Sequence, residues 1–76
     1  VRIVVTEDMA MIRHEIVRWY RQHGHCVVAE TESARETVKL CREHRPDALL
    51  LDVRLPDGDG LSLAQTIRDE FPALKI

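Results

Sequence analysis

The chain has 76 residues, with 11 Lys and Arg against 13 Asp and Glu, a net charge of -2, and 45% hydrophobic content. That length allows one small domain, which buries only about 60 to 65% of its unfolded surface. The mixed charge, with no block of one sign, argues against a nucleic-acid or membrane surface, and no apolar run reaches the roughly 20 residues needed to span a bilayer.

No basic and apolar leader pattern is present, so the cytoplasm is the expected compartment. Cys26 and Cys41 are too far apart in sequence for a zinc clip, and both are read as reduced thiols. The start at Val1 rather than Met suggests a trimmed or partial product.

"VRIVVTED" is a β-branched run closed by two acids and reads as a buried strand ending near Glu7. Residues 9–23 place Ile12, Ile16, Trp19 and Tyr20 on one helical stripe, and Gly24 follows as a residue able to take positive φ. "CVVAET", 26–31, is a second strand. Ser33 and Glu36 have capping-box spacing, so a helix starts there, with Ala34, Val38 and Cys41 inward, and Pro46 stops it. "DALLLD", 47–52, is the third strand.

After the loop "LPDGDG", the spacing of Leu61, Ala64, Ile67 and Phe71 predicts a third helix ended by Pro72, and "ALKI" opens a fourth strand. The order βαβαβαβ, with continuous rather than alternating apolar strands, implies an α/β fold: a doubly wound, flavodoxin-like parallel sheet covered by helices on both faces. With strand order 2-1-3-4-5, strands one and three are neighbours, and Glu7, Asp8 and Asp52 converge on the rim at their carboxyl ends.

Three carboxylates so close repel one another, and each is expected to have a raised pKa unless a cation sits among them. The ligands are all hard oxygens, which points to Mg²⁺. A calcium loop built on Asp59-Gly60 fails, because Thr66 falls where such a loop needs an acid. "HGHC", 23–26, is turn chemistry rather than a metal cluster, and His14 and His44 are expected to be solvated. Arg13, Arg18 and Arg21 read as a solvated face of the first helix.

The acidic pair after strand one, the aspartate ending strand three, and Leu55-Pro56 followed by Asp59-Gly60 together resemble the receiver domain of two-component response regulators. The resemblance runs along the whole chain, taken as residues 1–76 of a single receiver domain that continues beyond it. The style of "FPALKI" and of the third helix is most like receivers attached to helix-turn-helix transcription factors of the LuxR type.

The resemblance implies that Asp52 is the phosphoacceptor, taking a phosphoryl group from a phosphohistidine on a sensor histidine kinase. Mg²⁺ would be held by Asp8 directly, by Glu7 through a water, by Asp52, and by the backbone carbonyl of Arg54, whose side chain would influence the lifetime of the acyl phosphate. Pro56, Gly58 and Gly60 shape the loop, since proline fixes φ and the glycines tolerate turns that a side chain would obstruct. Met11, His14, Glu15 and Arg18 fall where a kinase's phosphotransfer helix docks in such proteins.

Two departures stand out: Met9-Ala10 replaces the His-Pro that often follows the acidic pair, and the family's switch Ser or Thr, Lys and aromatic would lie beyond Ile76. Lys39 and Lys75 sit on other elements and do not take the switch role. DNA contact would come only through an output domain outside the chain. With an open edge on strand three, the isolated chain is expected to self-associate, a homodimer included, or to be partly disordered. The leading expectation is thus a regulated signalling module rather than an enzyme. Its rivals are a receiver fold that is never phosphorylated and a Mg²⁺-dependent phosphatase, the latter opposed by a basic Arg54 where a general acid is needed.

Overall fold

In the computed structural model, which describes residues 1–76, the chain runs β1 (Arg2–Thr6), α1 (Ala10–Gln22), β2 (Cys26–Thr31), α2 (Ala34–His44), β3 (Ala48–Leu51), β4 (Arg54–Leu55), β5 (Gly58–Asp59) and α3 (Gly60–Glu70). β1 lies at the centre of a parallel sheet ordered β2-β1-β3, with Ile3 opposite Val27 and Ala48, and Thr6 opposite Thr31 and Leu51. This is the beginning of the expected strand order.

β1 is the most buried strand because partners flank it and helices cover both its faces. Val4 points into a cluster with Ala34, Cys41, Leu49, Leu55, Leu63 and Ile67, under α2 and α3. Ile3 and Val5 face the other way, against Val17 of α1 and Val27. Full burial of side chains such as Val4 and Val5 contributes about 1.5–3 kcal/mol each.

The inward stripes of two helices differ from expectation. On α1 the buried residue is Val17, with Ile16 and Tyr20 half-buried, while Ile12 and Trp19 are exposed. Trp19 instead stacks on His23 at 4.0 Å between ring centres. α1 is the one helix on its side of a narrow sheet, so only a thin strip of it is covered. On α3 the buried residues are Gly60, Leu63 and Ile67, and Leu61 is 70% exposed at the edge of the helix. Cys41 is fully buried as expected, whereas Cys26 is exposed.

Gly24 has φ +82 just past the end of α1, as expected of a residue in that place. Arg45, in the left-handed region with φ 48, ends α2 ahead of the buried Pro46. His44, expected to be solvated, is half-buried.

β3 is half-buried except at Leu49, because its outer edge meets little chain. The expected fourth strand is a single parallel bridge between Lys75 and Ala48, in which the Leu49 amide donates to the Lys75 carbonyl at 2.7 Å. The segment 52–60, read as a loop, contains the small antiparallel hairpin of β4 and β5, with Arg54 opposite Asp59. No helix is long and apolar enough to cross a membrane.

Candidate functional site

Parallel pairing places the ends of β1 and β3 side by side. The Asp52 amide donates to the Thr6 carbonyl at 2.9 Å, and the Glu7 amide to the Thr31 carbonyl at 3.0 Å. The residues just past these strands are therefore held on one rim, and Glu7, Asp8 and Asp52 each present a carboxylate oxygen within 4.8 Å of the others. All three are half-buried. The structure thus brings together the three acids expected to meet.

Their charges are managed unequally. Partial burial raises the Glu7 pKa; the Met9 amide, donating to its Oε2 at 3.2 Å, opposes the rise, and hydrogen bonding to Asp8 and Asp52 adds to it. Asp52 moves the other way: the Arg54 amide donates to its Oδ1 at 3.1 Å and holds the carboxyl below its ordinary range, and hydrogen bonds from Glu7 and Asp8 act in the same direction. The expectation of a raised pKa is corrected at Asp52, because the backbone donor outweighs the effect of partial burial there. The rim therefore favours a proton on Glu7 over one on Asp52.

The donor set consists of carboxylate oxygens with no nitrogen or sulfur, which suits a hard divalent cation that keeps part of its water shell. A cation among them would relieve the repulsion of three close carboxylates.

The loop from 52 to 60 is shaped as its composition demands, for a more specific reason than glycine freedom. A Cβ on Gly60 would lie 2.5 Å from the Asp52 carbonyl oxygen and 2.5 Å from Val53 Cα. No side chain fits there. A Cβ on Gly58 would lie 3.0 Å from that of Ala34, so Gly58 lets the hairpin lie against α2. Pro56 is exposed at the tip, Leu55 is buried beneath it, and Asp59 caps α3 by accepting from the Leu61 amide at 2.9 Å. Arg54 is exposed beside the rim.

Two residues of the site's frame were not anticipated. Arg13, expected on a solvated face, has a side chain only 15% exposed. It donates to the Glu7 carbonyl at 2.9 Å and to Glu30 at 3.2 Å, bracing the acidic turn against β2. Its position in the first turn of a helix that directly follows the acids is the signal that could have placed it. Asp57 accepts from Ser33 Oγ and the Ala34 amide at 2.7 Å each and from the Arg35 amide at 3.2 Å, which lowers its pKa to about 2. Only the Pro-Asp-Gly turn hinted at it.

The capping box at Ser33 is half formed. Ser33 Oγ accepts from the Glu36 amide, but Glu36 Oε2 accepts a hydrogen bond from Thr31 Oγ1 at 2.8 Å instead of reaching back to Ser33. Ser33 N donates to Thr31 Oγ1.

Met11, His14, Glu15 and Arg18 all lie exposed on α1, Met11 at 82%. Met11, Glu15 and Arg18 share one shallow groove with Ile12, Ile16, Trp19 and Gln22, and His14 lines the adjoining hollow with Val17 and Arg21.

The family model of the response regulator receiver domain matches residues 3–76. The transcriptional regulatory protein PdtaR of Mycobacterium tuberculosis is 35% identical over 87% of the chain, and the virulence transcriptional regulatory protein PhoP of Salmonella choleraesuis is 41% identical over 99%. The chain spans about a third of their lengths, 32% and 33%. A crystal structure of a LuxR-family two-component response regulator from an Aurantimonas species superimposes with a TM-score of 0.89 at 32% identity, covering 96% of this chain and 53% of that one. The chain belongs to the response regulator receiver domains, the phosphoacceptor modules of two-component signalling.

Proposed function

We propose that Asp52 is the residue that accepts the phosphoryl group, from a phosphohistidine on a sensor histidine kinase, with Mg²⁺ bound among Asp8, Glu7, Asp52 and the backbone carbonyl of Arg54. The observation that carries this reading is the meeting of three carboxylates within 4.8 Å on the rim between β1 and β3. Asp52 is the one of them whose pKa is lowered, chiefly by the Arg54 amide, which suits a carboxylate nucleophile. Its oxygen would form the new bond to phosphorus while the bond from phosphorus to the donor's imidazole nitrogen breaks, leaving the imidazole to take up a proton.

The cation would supply charge neutralisation for the transferring group, in a reaction governed mostly by positioning. The chain's own residues would orient the acceptor: the Thr6 carbonyl receives the Asp52 amide, and the Arg54 amide fixes its carboxylate. Phosphorylation would make the chain a regulated binding module with no external substrate. The names of PdtaR and PhoP support a place in a longer transcriptional regulator, with DNA contact made outside this chain, and self-association along the β3 edge is part of the same reading. The exposed face of α1 with Met11, His14, Glu15 and Arg18 is proposed as the kinase contact.

Intact mass after incubation with Mg²⁺ and a small-molecule phosphodonor tests the site. A hydroxylamine-labile gain of one phosphoryl group in the parent chain and none in Asp52→Asn is the expected result. No gain in a folded parent chain, under conditions that label another receiver, would overturn it.

A further inference from the structure

The first turn of α2 and its cap reach the ends of β1 and β2 and the hairpin that follows β3. Thr37 Oγ1 donates to the Ser33 carbonyl at 2.8 Å, so the single hydrogen left for its 2.8 Å contact with Thr6 Oγ1 is the Thr6 hydrogen. That bond ties α2 to the residue immediately before Glu7. Glu36 accepts from Thr31 Oγ1, and the Thr31 carbonyl in turn accepts the Glu7 amide. Asp57 completes the set from the other side, bringing the chain that follows Asp52 onto the amides of Ala34 and Arg35 and the hydroxyl of Ser33.

Asp57 is the side chain of the 52–60 segment that makes this tie. Asp59 bonds within its own helix end, to Leu61 and Ser62, and the Gly60 amide bonds to the Val53 carbonyl within the loop. Close apposition at Gly58 and Ala34 shows that the hairpin is seated on α2 at the same spot.

We propose that Asp57 is a positioning residue for the acidic site: by docking the β4–β5 hairpin on the first turn of α2, it holds Asp52 and the Arg54 backbone in register with Glu7 and Asp8. This rests on the proposed cation site among those residues. Asp57 touches none of the reacting atoms. It acts by giving the two halves of the rim a common support, and its loss lets the hairpin drift from the acidic pair while the sheet stays intact.

The test is a Mg²⁺ titration of the full chain by calorimetry, without phosphodonor, together with the Mg²⁺ dependence of phosphorylation by a small-molecule donor. Asp57→Ala is expected to raise the Mg²⁺ Kd roughly 10-fold, the size typical of residues that orient metal ligands. The rate at saturating Mg²⁺ should stay within about twofold of the parent, and Asp57→Asn, which keeps one acceptor oxygen, should fall between.

Ser33→Ala removes one of the three donors and should shift the Kd in the same direction by less, which keeps the test open if Asp57→Ala does not fold. Arg42→Ala cuts a paired contact with Glu70 between α2 and α3, away from the rim, and should lower stability without moving the Kd. An unchanged Kd in folded Asp57→Ala, or in Ser33→Ala and Asp57→Asn together, would overturn the proposal. If the parent chain itself bound no Mg²⁺ and took no phosphoryl group, it is the cation site that would fall.

Discussion

Thr6 Oγ1 donates to Thr37 Oγ1 at 2.8 Å in the interior, and Thr37 passes its own hydrogen to the Ser33 carbonyl. The two hydroxyls are therefore unequal. Thr37→Val strands the Thr6 hydroxyl with no partner and should cost about 1–3 kcal/mol, whereas Thr6→Val leaves Thr37 bonded and should cost about 1 kcal/mol. The double variant should cost less than the sum. Urea unfolding of the four proteins measures the cycle, and equal single costs would show the donor order to be wrong.

Gly60 has no room for a methyl group. Gly60→Ala must push Asp52 and Val53 aside, with an expected loss of about 3 kcal/mol and weaker phosphorylation. Gly24, with open space around it but φ +82, should lose about 1 kcal/mol on the same change through backbone strain alone. Thermal denaturation of both variants compares a steric cause with a conformational one.

The two thiols should separate cleanly. Cys26 is exposed, while burial, aided by the charge of Glu70, raises the Cys41 pKa to about 11. The thiolate is the reactive form. A thiol reagent should modify one equivalent rapidly in the native protein, and Cys26→Ser should abolish that phase, with Cys41 reacting only after unfolding.

Asp57 gives the acid limb of the stability curve a definite sign. Its folded pKa of about 2 lies below its ordinary 3.8, so its contribution is fully present above about pH 4 and fades as pH falls toward 2. Glu7 acts oppositely: its folded pKa is raised above 4.5, so its contribution is present at low pH and is lost as pH rises through the folded value. Without Mg²⁺, the gap in Tm between the parent chain and Asp57→Asn should be widest near neutrality and close as pH approaches 2. A constant gap would count against the assignment.

Docking on α1 can be separated from chemistry at Asp52. Alanine at Met11, Glu15 or Arg18 should slow transfer from a phosphorylated kinase several-fold while leaving labelling by a small donor unchanged, as all three are exposed on the helix surface. Equal rates from the kinase would remove these residues from the contact.

The α/β order was legible because apolar runs mark the strands locally, and the acidic rim because the acids directly follow strands one and three, which the expected strand order makes neighbours. Helix faces were less so. Ile12, Trp19 and Leu61 fit helical periods but fall outside the thin strip that a three-stranded sheet covers, which only tertiary packing decides. The proton balance at Asp52 depended on the Arg54 amide, and the role of Asp57 depended on Ser33, Ala34 and Arg35, more than 20 residues earlier. Such long-range partners leave no mark in spacing.

The central place of β1 also sets an order in time. It leaves the ribosome before both of its flanking strands, and the second of them ends only at Leu51. Until then Ile3, Val4 and Val5, all but fully covered in the finished domain, lack one of the two strands that flank them. The sheet around β1 therefore closes only after β3 is available. Strand β1 stays open to other contacts until β3 has emerged.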